Sequence, residues 1–516
     1  CACNITDIST FWNIFIRPWY TFTFSFFSYQ SSDVVIVGPT FSQEDYFIEE
    51  LNTISNKTGY KISYVSLNDV PLYIQKNPDK ADLVLLTSPQ SLRELGNSNI
   101  LLPTNDFYDE DSKDLYSEYL INLISSEDNS VKYGHWLRLF SNSMIWYNVD
   151  RYKELGSPNF ESFDEIIEFT KLNSTKNNEL WCLTIDSAEN QPLLDYEYGE
   201  STGWIVSNWL ENIVLANYGT TIYDNWVKNE IKFSDDEIVL SLLDIGKIVH
   251  NEGTVYKGKE YLIRSQISKS ASNLLDENST CVFSLMGHHA INYMPQNKTF
   301  GEDYNYLKFP SINYSNMVVG IGDTVSLLND NPSSMEVYAE IVSATFGETW
   351  ASKIDSQYVS PRTDFDISKY KNEFAKKEYI QIKDSLSMNL FRYDGSMLMK
   401  NGTGKKILWT TLRDFITQSN NYLEQVKKIL FCIGMYVYEN LKSNVVSIAK
   451  PEGGFYLFPE FTNAKFYSSS EMCKDILNKT GVAFSDPSKK FSLLIKSTDS
   501  SIKKGLALSI VFLSLS

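Results

Sequence analysis

Residues 33–67 read DVVIVGPTFSQEDYFIEELNTISNKTGYKISYVSL, and this stretch decides the fold class. The run 33–38 is continuously apolar after its Asp, which suits a strand buried on both faces. Ser42 is placed to cap a helix, and Glu44 and Asp45 favour the positive end of its dipole. Phe47, Ile48, Leu51 and Ile54 then recur at helical spacing, and Gly59 follows as a terminator. Lys61–Leu67 reads as a second strand, and DLVLLT at 82–87 as a third buried one. Strand, helix and strand in this order predict a doubly wound α/β lobe.

Outward from this unit, a second α/β and helical region runs from about Trp146 to Pro310, with helices over Phe163–Lys171 and Gly203–Asn217. Asn331-Pro332 starts a helix with proline at its first position, reading through Phe346. From Glu378 the pattern is mostly helical to about Leu430. Two lobes joined by two or three chain crossings would hold a ligand between them.

The chain has 516 residues, 43% of them hydrophobic, and a formal net charge of −18, enough apolar material for a large core. That charge argues against nucleic acid and anionic membranes as partners, because both require clustered cations. The 32 Tyr, 30 Phe and 10 Trp serve cores first, although sugar sites also use aromatic faces. Six cysteines are too few for a disulfide scaffold, and their spacing fits no zinc motif. Residues 11–29 are aromatic but broken by Arg17-Pro18, and the apolar stretch from Gly505 is shorter than the roughly 20 residues a spanning helix needs. The sequence opens on Cys1 rather than Met, which reads as a processed or partial product.

Catalytic motifs are missing. The histidines are His135, His250, His288 and His289, the last two adjacent and unable to point one way on a regular element. No HExxH, GxSxG, P-loop or GxGxxG accompanies them. No catalytic residue, metal or cofactor is expected.

Several segments, in order, resemble the alpha-glucoside-binding branch of the extracellular solute-binding protein family 1. Asp33–Tyr64 is similar to its opening unit, and Pro78-Asp79 with DLVLLTS to its "PDV" element. Arg138 with SMIWYN (143–148) is similar to its first interlobe crossing, and FDEIIEF (163–169) to its "TWDEL" helix. The most specific block is TGWIVSNWLEN (202–212), resembling "TGWPGTDWIED", followed by YDNWV and FSDDEI. GIGD (320–323), SPR (360–362) and FRYDGS (391–396) complete the series. Asn208 and Asn212 stand where the family has acids, and Met397 where it has Asp.

The resemblance implies a two-lobed periplasmic-binding-protein-like II (Venus-flytrap) fold. Lobe 1 would take residues 33–145 and 317–365, lobe 2 residues 146–316 and 366–430, with 1–32 an N-terminal segment of uncertain origin. It implies extracytoplasmic binding of a sugar, an alpha-glucoside or oligosaccharide, by a monomer that delivers it to an ABC permease. The alternatives are a receptor ectodomain with a membrane region elsewhere, and a pyridoxal-phosphate aminotransferase-related protein lacking its catalytic domain. The family also carries a cysteine pair flanking the TGW block, which implies a disulfide between Cys182 and Cys281; two buried free thiols are the other reading.

Candidate ligand contacts follow. Trp204 and Trp209 lie five apart, so one can face a cleft while the other packs inward. Trp409 sits where related sugar binders place a stacking aromatic. Asp323 follows two glycines that admit close backbone approach, and Arg138, Arg362 and Asp394 come in by resemblance. For the two arginines a structural salt bridge is the competing role.

Residues 431–516 form a small α+β appendage of a different kind. KPEGGFYLFPEF (450–461) and CKDILNKTGVAF (473–484) resemble the C-terminal small domain of class I, aspartate-type aminotransferases. The expected substrate arginine is absent, and so is the large domain with its Schiff-base lysine, so the fragment is expected to be catalytically incomplete and without pyridoxal phosphate.

Overall fold

The computed structural model describes residues 33–108, 115–185, 203–399 and 403–417, with three short strand segments farther on. Two hydrophobic clusters organise it. The first surrounds a sheet in the order β2-β1-β3-β8-β4. Its strands are β1 (Val34–Pro39), β2 (Ile62–Leu67), β3 (Leu83–Leu86), β4 (His135–Ser141) and β8 (Val318–Leu327). β1 runs parallel to β2 and β3, while β8 is antiparallel to β3 and β4. A further strand, β9 (Phe391–Tyr393), pairs parallel with the start of β8.

The second cluster surrounds a three-stranded antiparallel sheet of β6 (Phe283–Leu285), β5 (Met144–Asn148) and β7 (Tyr304–Lys308). The long helix Trp204–Val227 packs beside it, with a break at Gly219, whose φ of 77° leaves the helical region. That glycine bounds the helix read over Gly203–Asn217, and a second helical stretch continues beyond it.

The first strands and helix lie within a residue of their predicted ends, with one difference in capping. The helix Glu44–Thr58 begins after Gln43 in the left-handed conformation, φ 65°, and not at Ser42. The Gln43 side chain is used elsewhere: its Oε1 accepts from Trp350 Nε1 at 2.9 Å and Gln357 N at 2.9 Å, and its Nε2 donates to Asp355 O at 2.7 Å. On the same helix Ile48 faces solvent while Glu50 is buried, accepting from Trp350 N at 2.7 Å. Both departures have one cause, the docking of the segment 347–357 on this helix.

Helix Glu373–Ser387 and strand β9 contribute Ala375, Tyr379, Ile382, Leu386 and Phe391 to the first cluster. The sequence reading placed 366–430 wholly in lobe 2. Among the described residues of this stretch, Phe374, Met399, Leu408, Leu412, Phe415 and Ile416 join the second cluster, with Leu390 packed against it. The appendage lies outside the described residues except for the backbone of Val446–Ile448, Pro459–Phe461 and Leu506–Ala507, which pair antiparallel in that order.

Cys182 and Cys281 are joined by a disulfide spanning 99 residues of lobe 2. Both sulfurs are buried in its core, so the bond also removes two thiols from an apolar setting. Closing so long a loop restricts the unfolded chain strongly. Replacing both cysteines by alanine is expected to lower stability by about 2–5 kcal/mol, measured as a drop in the urea midpoint with a larger m-value, because the unfolded chain without the cross-link exposes more surface.

Candidate functional site

Two strand segments cross between the lobes side by side. Ser141 leads through Asn142 and Ser143 into β5, and Met317 leads into β8, with Ser141 opposite Gly320. The Ser143 hydroxyl accepts from Val319 N at 2.7 Å and donates to Asn212 Oδ1. Asn212 Nδ2 donates to Asn142 O at 3.0 Å and to Asn208 O at 2.8 Å. An aspartate at 212 could accept but not donate here, so the departure from the resembling family has a local use.

On the lobe 1 side, Arg138 and Asp323 are cross-strand partners on β4 and β8, joined by a buried ion pair through Nε and Oδ2. The guanidinium lies over Phe41 at 4.0 Å, Phe140 at 4.9 Å and Trp350 at 5.3 Å. Phe41 and Trp350 stack at 6.1 Å. The glycines before Asp323 serve the sheet: a Cβ on Gly322 would fall 2.5 Å from Arg138 O, and one on Gly320 2.5 Å from the Phe391 ring. Thus Asp323 is engaged by Arg138 rather than held free.

Between the lobes, His288 Nδ1 meets Glu378 Oε2 at 2.7 Å, and Glu378 Oε1 accepts from Ser141 N at 2.7 Å. Glu378 is wholly buried, and the His288 ring packs on Phe140 at 4.4 Å. A second link joins Gln357 Nε2 to Asn292 Oδ1 at 2.7 Å. Each pairs a residue packed with lobe 1 to one in the turn His288–Tyr293 of lobe 2.

The lobe 2 side begins at Gly203, where a Cβ would lie 2.5 Å from Trp409 O, so only glycine lets the long helix start against that carbonyl. Trp204 follows, partly exposed, with its ring 5.0 Å from the His289 ring. Burial and neighbouring His288 hold the His289 imidazole down to about 3, so it is neutral. Three buried polar atoms in this part of lobe 2, His289 Nε2, Asn208 Oδ1 and Trp409 Nε1, have no hydrogen-bond partner among the described residues. Unpaired buried polar groups cost about 1–3 kcal/mol each, and sites that receive ligand hydroxyls carry them.

The other sequence-derived candidates have structural partners. Trp209 is buried in the second cluster with Nε1 donating to Leu285 O at 2.8 Å, the inward member of the tryptophan pair. Arg362 forms a forked pair with Asp364 at 2.9 and 2.8 Å and donates to Val342 O at 3.0 Å. Asp394 caps the short helix Gly395–Leu398, accepting from Met397 N at 3.2 Å and Ser396 Oγ at 2.6 Å. Beside it Glu211, also buried, accepts from Gly395 N and Tyr223 Oη, each at 2.8 Å, and from Ser396 N at 3.1 Å. Burial first, then the Asp394 charge, pushes the Glu211 carboxyl well above the usual range. Among the described residues no group of His, Cys, Asp and Glu could hold a metal.

With this geometry in hand, the solved structures speak to the architecture. The bacterial solute receptor AcbH, described by its preference for b-D-galactopyranose, superposes with a TM-score of 0.59 over 77% of this chain and 96% of its own, at 13% identity. The chain has the fold of two-lobed periplasmic sugar-binding proteins. RafE from Streptococcus pneumoniae shares the two-lobed fold with a TM-score of 0.56 over 77% of this chain and 97% of its own, at 15% identity. Among curated proteins, the osmoprotective compounds-binding protein GgtB of Synechocystis sp. is 24% identical over 404 residues, covering 76% of this chain and 91% of that protein. The alpha-glucosides-binding periplasmic protein AglE of Rhizobium meliloti is 23% identical over 383 residues, covering 72% and 79%. No family model matches the chain.

His288–Glu378, His289 and the Phe41–Trp350 stack were not found from the sequence. The adjacent histidines were noticed, and they do diverge, one toward Glu378 and the other toward Trp204. Their partners lie too far along the chain for any local pattern to name.

Two outcomes follow from the buried charges. Arg138→Ala strands Asp323 in the sheet and is expected to cost about 3–5 kcal/mol, read from chemical denaturation. For Glu211, the folded state keeps a proton that the unfolded chain releases near pH 4.3, a value typical of a free glutamate. Stability should therefore fall as pH rises from about 4.3 toward the raised folded value, by at most about 1.4 kcal/mol per pH unit for one proton. Glu211→Gln should flatten that slope in urea midpoints taken across the same pH range.

Proposed function

We propose that this chain is an extracytoplasmic receptor that closes two lobes on a sugar, an alpha-glucoside or oligosaccharide, and presents it to the permease of an ABC importer. The observation that carries the reading is the partly exposed Trp204 ring against His289, whose Nε2 is unpaired among the described residues, with Asn208 one helical turn beyond Trp204 and Trp409 against the start of the same helix, each carrying an unpaired buried polar atom. A pyranose offers the complement, an apolar C–H face for the indole and hydroxyls that both donate and accept. A neutral His289 suits an uncharged ligand. The two curated relatives, whose names describe osmoprotective compounds and alpha-glucosides, support the same class of ligand.

In this reading lobe 1 supplies Phe41 and Trp350 behind the Arg138–Asp323 pair, and lobe 2 supplies the Trp204 group. A ligand touching both favours the closed form by its differential contacts, a population shift about the two crossing strands. Asn292 and Gln357, already bonded across the junction, would be latch residues of that form. The receptor acts as a monomer outside the cytoplasm. The tail from residue 431, whose aminotransferase resemblance the comparisons do not support, is given no role in this reading.

A thermal-shift and calorimetric screen with maltose, trehalose, sucrose and longer alpha-glucans tests the proposal. At 100 times its dissociation constant a bound sugar should add about 2.7 kcal/mol of stability. Trp204→Ala and His289→Ala should each weaken the active sugar at least tenfold while the unliganded variants still unfold in a single cooperative transition, Trp204→Ala at a lower urea midpoint because its ring packs against the lobe 2 core. Absence of binding to every sugar in the series, or equal binding by both variants, would reject this assignment.

A further inference from the structure

Away from the Trp204 face, a pocket of about 470 Å³ opens where helix Glu373–Ser387 meets the end of β7. Its walls come from both lobes: Phe300, Gly301 and Lys308 on one side, and Glu373, Lys376, Lys377, Ile380 and Gln381 of the helix on the other, so three lysines face one carboxylate. In a protein of net charge −18, this is a local gathering of cations.

The pairing of those cations is incomplete. Lys376 has Glu373 at 3.8 Å. Lys308, exposed at the pocket mouth, meets among the described residues the neutral Asn316 amide, its Nζ donating to Oδ1 at 3.1 Å. Lys377 Nζ donates to Asn305 Oδ1 at 2.7 Å and to Tyr306 O at 2.8 Å, and lies 3.9 Å over the Tyr306 ring. Neither of these two ammonium groups meets a carboxylate among the described residues. Burial and the Lys308 charge hold the Lys377 ammonium down to about 8, which records an unneutralised positive site.

A second, independent observation points the same way. Gln381 is 1% exposed, and neither its Nε2 nor its Oε1 has a hydrogen-bond partner among the described residues. The hydroxyl of Tyr306 is likewise buried and unpaired. A buried amide with both ends unused is rare in a finished core, where most such groups are paired. One occupant resolves both features: an anionic group between the ammonium ions, with its oxygens in reach of the amide. Phe300 and Ile380 supply apolar wall for the rest of such a molecule.

We infer that this pocket binds a small organic anion, its phosphate or carboxylate group seated between Lys308 and Lys377 against Gln381. The pocket is distinct from the proposed sugar site and leaves that site's residues uninvolved. Because its walls belong to both lobes, the occupant would bridge them behind the junction.

The test uses the full chain at low ionic strength, titrated calorimetrically with inorganic phosphate, phenyl phosphate and benzoate. Saturable binding of at least one probe is expected, with the aromatic anions tighter than inorganic phosphate. The order of phenyl phosphate and benzoate identifies the preferred head group. Lys377→Met and Lys308→Gln should each weaken that binding tenfold or more, with an unchanged near-ultraviolet circular dichroism spectrum. Lys308→Gln alters a residue exposed at the pocket mouth, so it carries the test should Lys377→Met fail to fold. No saturable binding of any probe, or binding that Lys308→Gln leaves intact, would overturn the assignment.

Discussion

The architecture depends on how two neighbouring strands are pinned where they pass from one lobe to the other. In the proposed closure Ser141–Met144 and Met317–Gly320 face opposite demands: they would bend as the lobes move, yet keep their register. A single hydroxyl, Ser143 Oγ, ties Val319 of one strand to Asn212 of the long helix, and the same Asn212 returns to the Asn142 carbonyl. All these groups are buried, so leaving any one unpaired would cost about 1–3 kcal/mol. The network therefore fixes a pivot point, while the lobes on either side remain separate hydrophobic clusters.

How legible this was in the sequence depends on distance along the chain. Strands β1, β2 and β3 and the first helix are set by neighbours a few residues apart, and their patterns read directly. The tryptophan pair shows the limit. Spacing alone says that Trp204 and Trp209 point differently, but which one is inward depends on the carbonyl of Leu285, 76 residues away. From the sequence, the glycines before Asp323 suggest close backbone approach to a ligand. Those glycines instead make room for Arg138 O and the Phe391 ring, contacts set by strand pairing that no local motif encodes.

Buried carboxylates follow the same rule. Glu50, Glu211 and Glu378 sit on helices where an amphipathic reading leaves charges facing water, and each is buried because it accepts backbone N–H groups from a distant segment. Glu50 meets the segment around Trp350, Glu211 the turn after β9, and Glu378 the first crossing strand. Each acts as a long-range fastener, substituting for the local hydrogen bonds that irregular backbone lacks. The cost of desolvating such groups is met only when the whole fold has assembled, which ties cooperativity to them.

The disulfide has a mechanical meaning besides its effect on the unfolded chain. Cys182 and Cys281 bracket the long helix and its neighbours, a separation of 99 residues. At roughly 3.3–3.6 Å per extended residue, on the order of 300 Å of contour is withheld from any force applied to the two ends of the chain. Tension transmitted through lobe 2 passes along the covalent bridge and bypasses Trp204 and Asn212 altogether. A pulling experiment on the oxidised protein would thus extend lobe 1 to its full length while the bracketed part of lobe 2 carries no load.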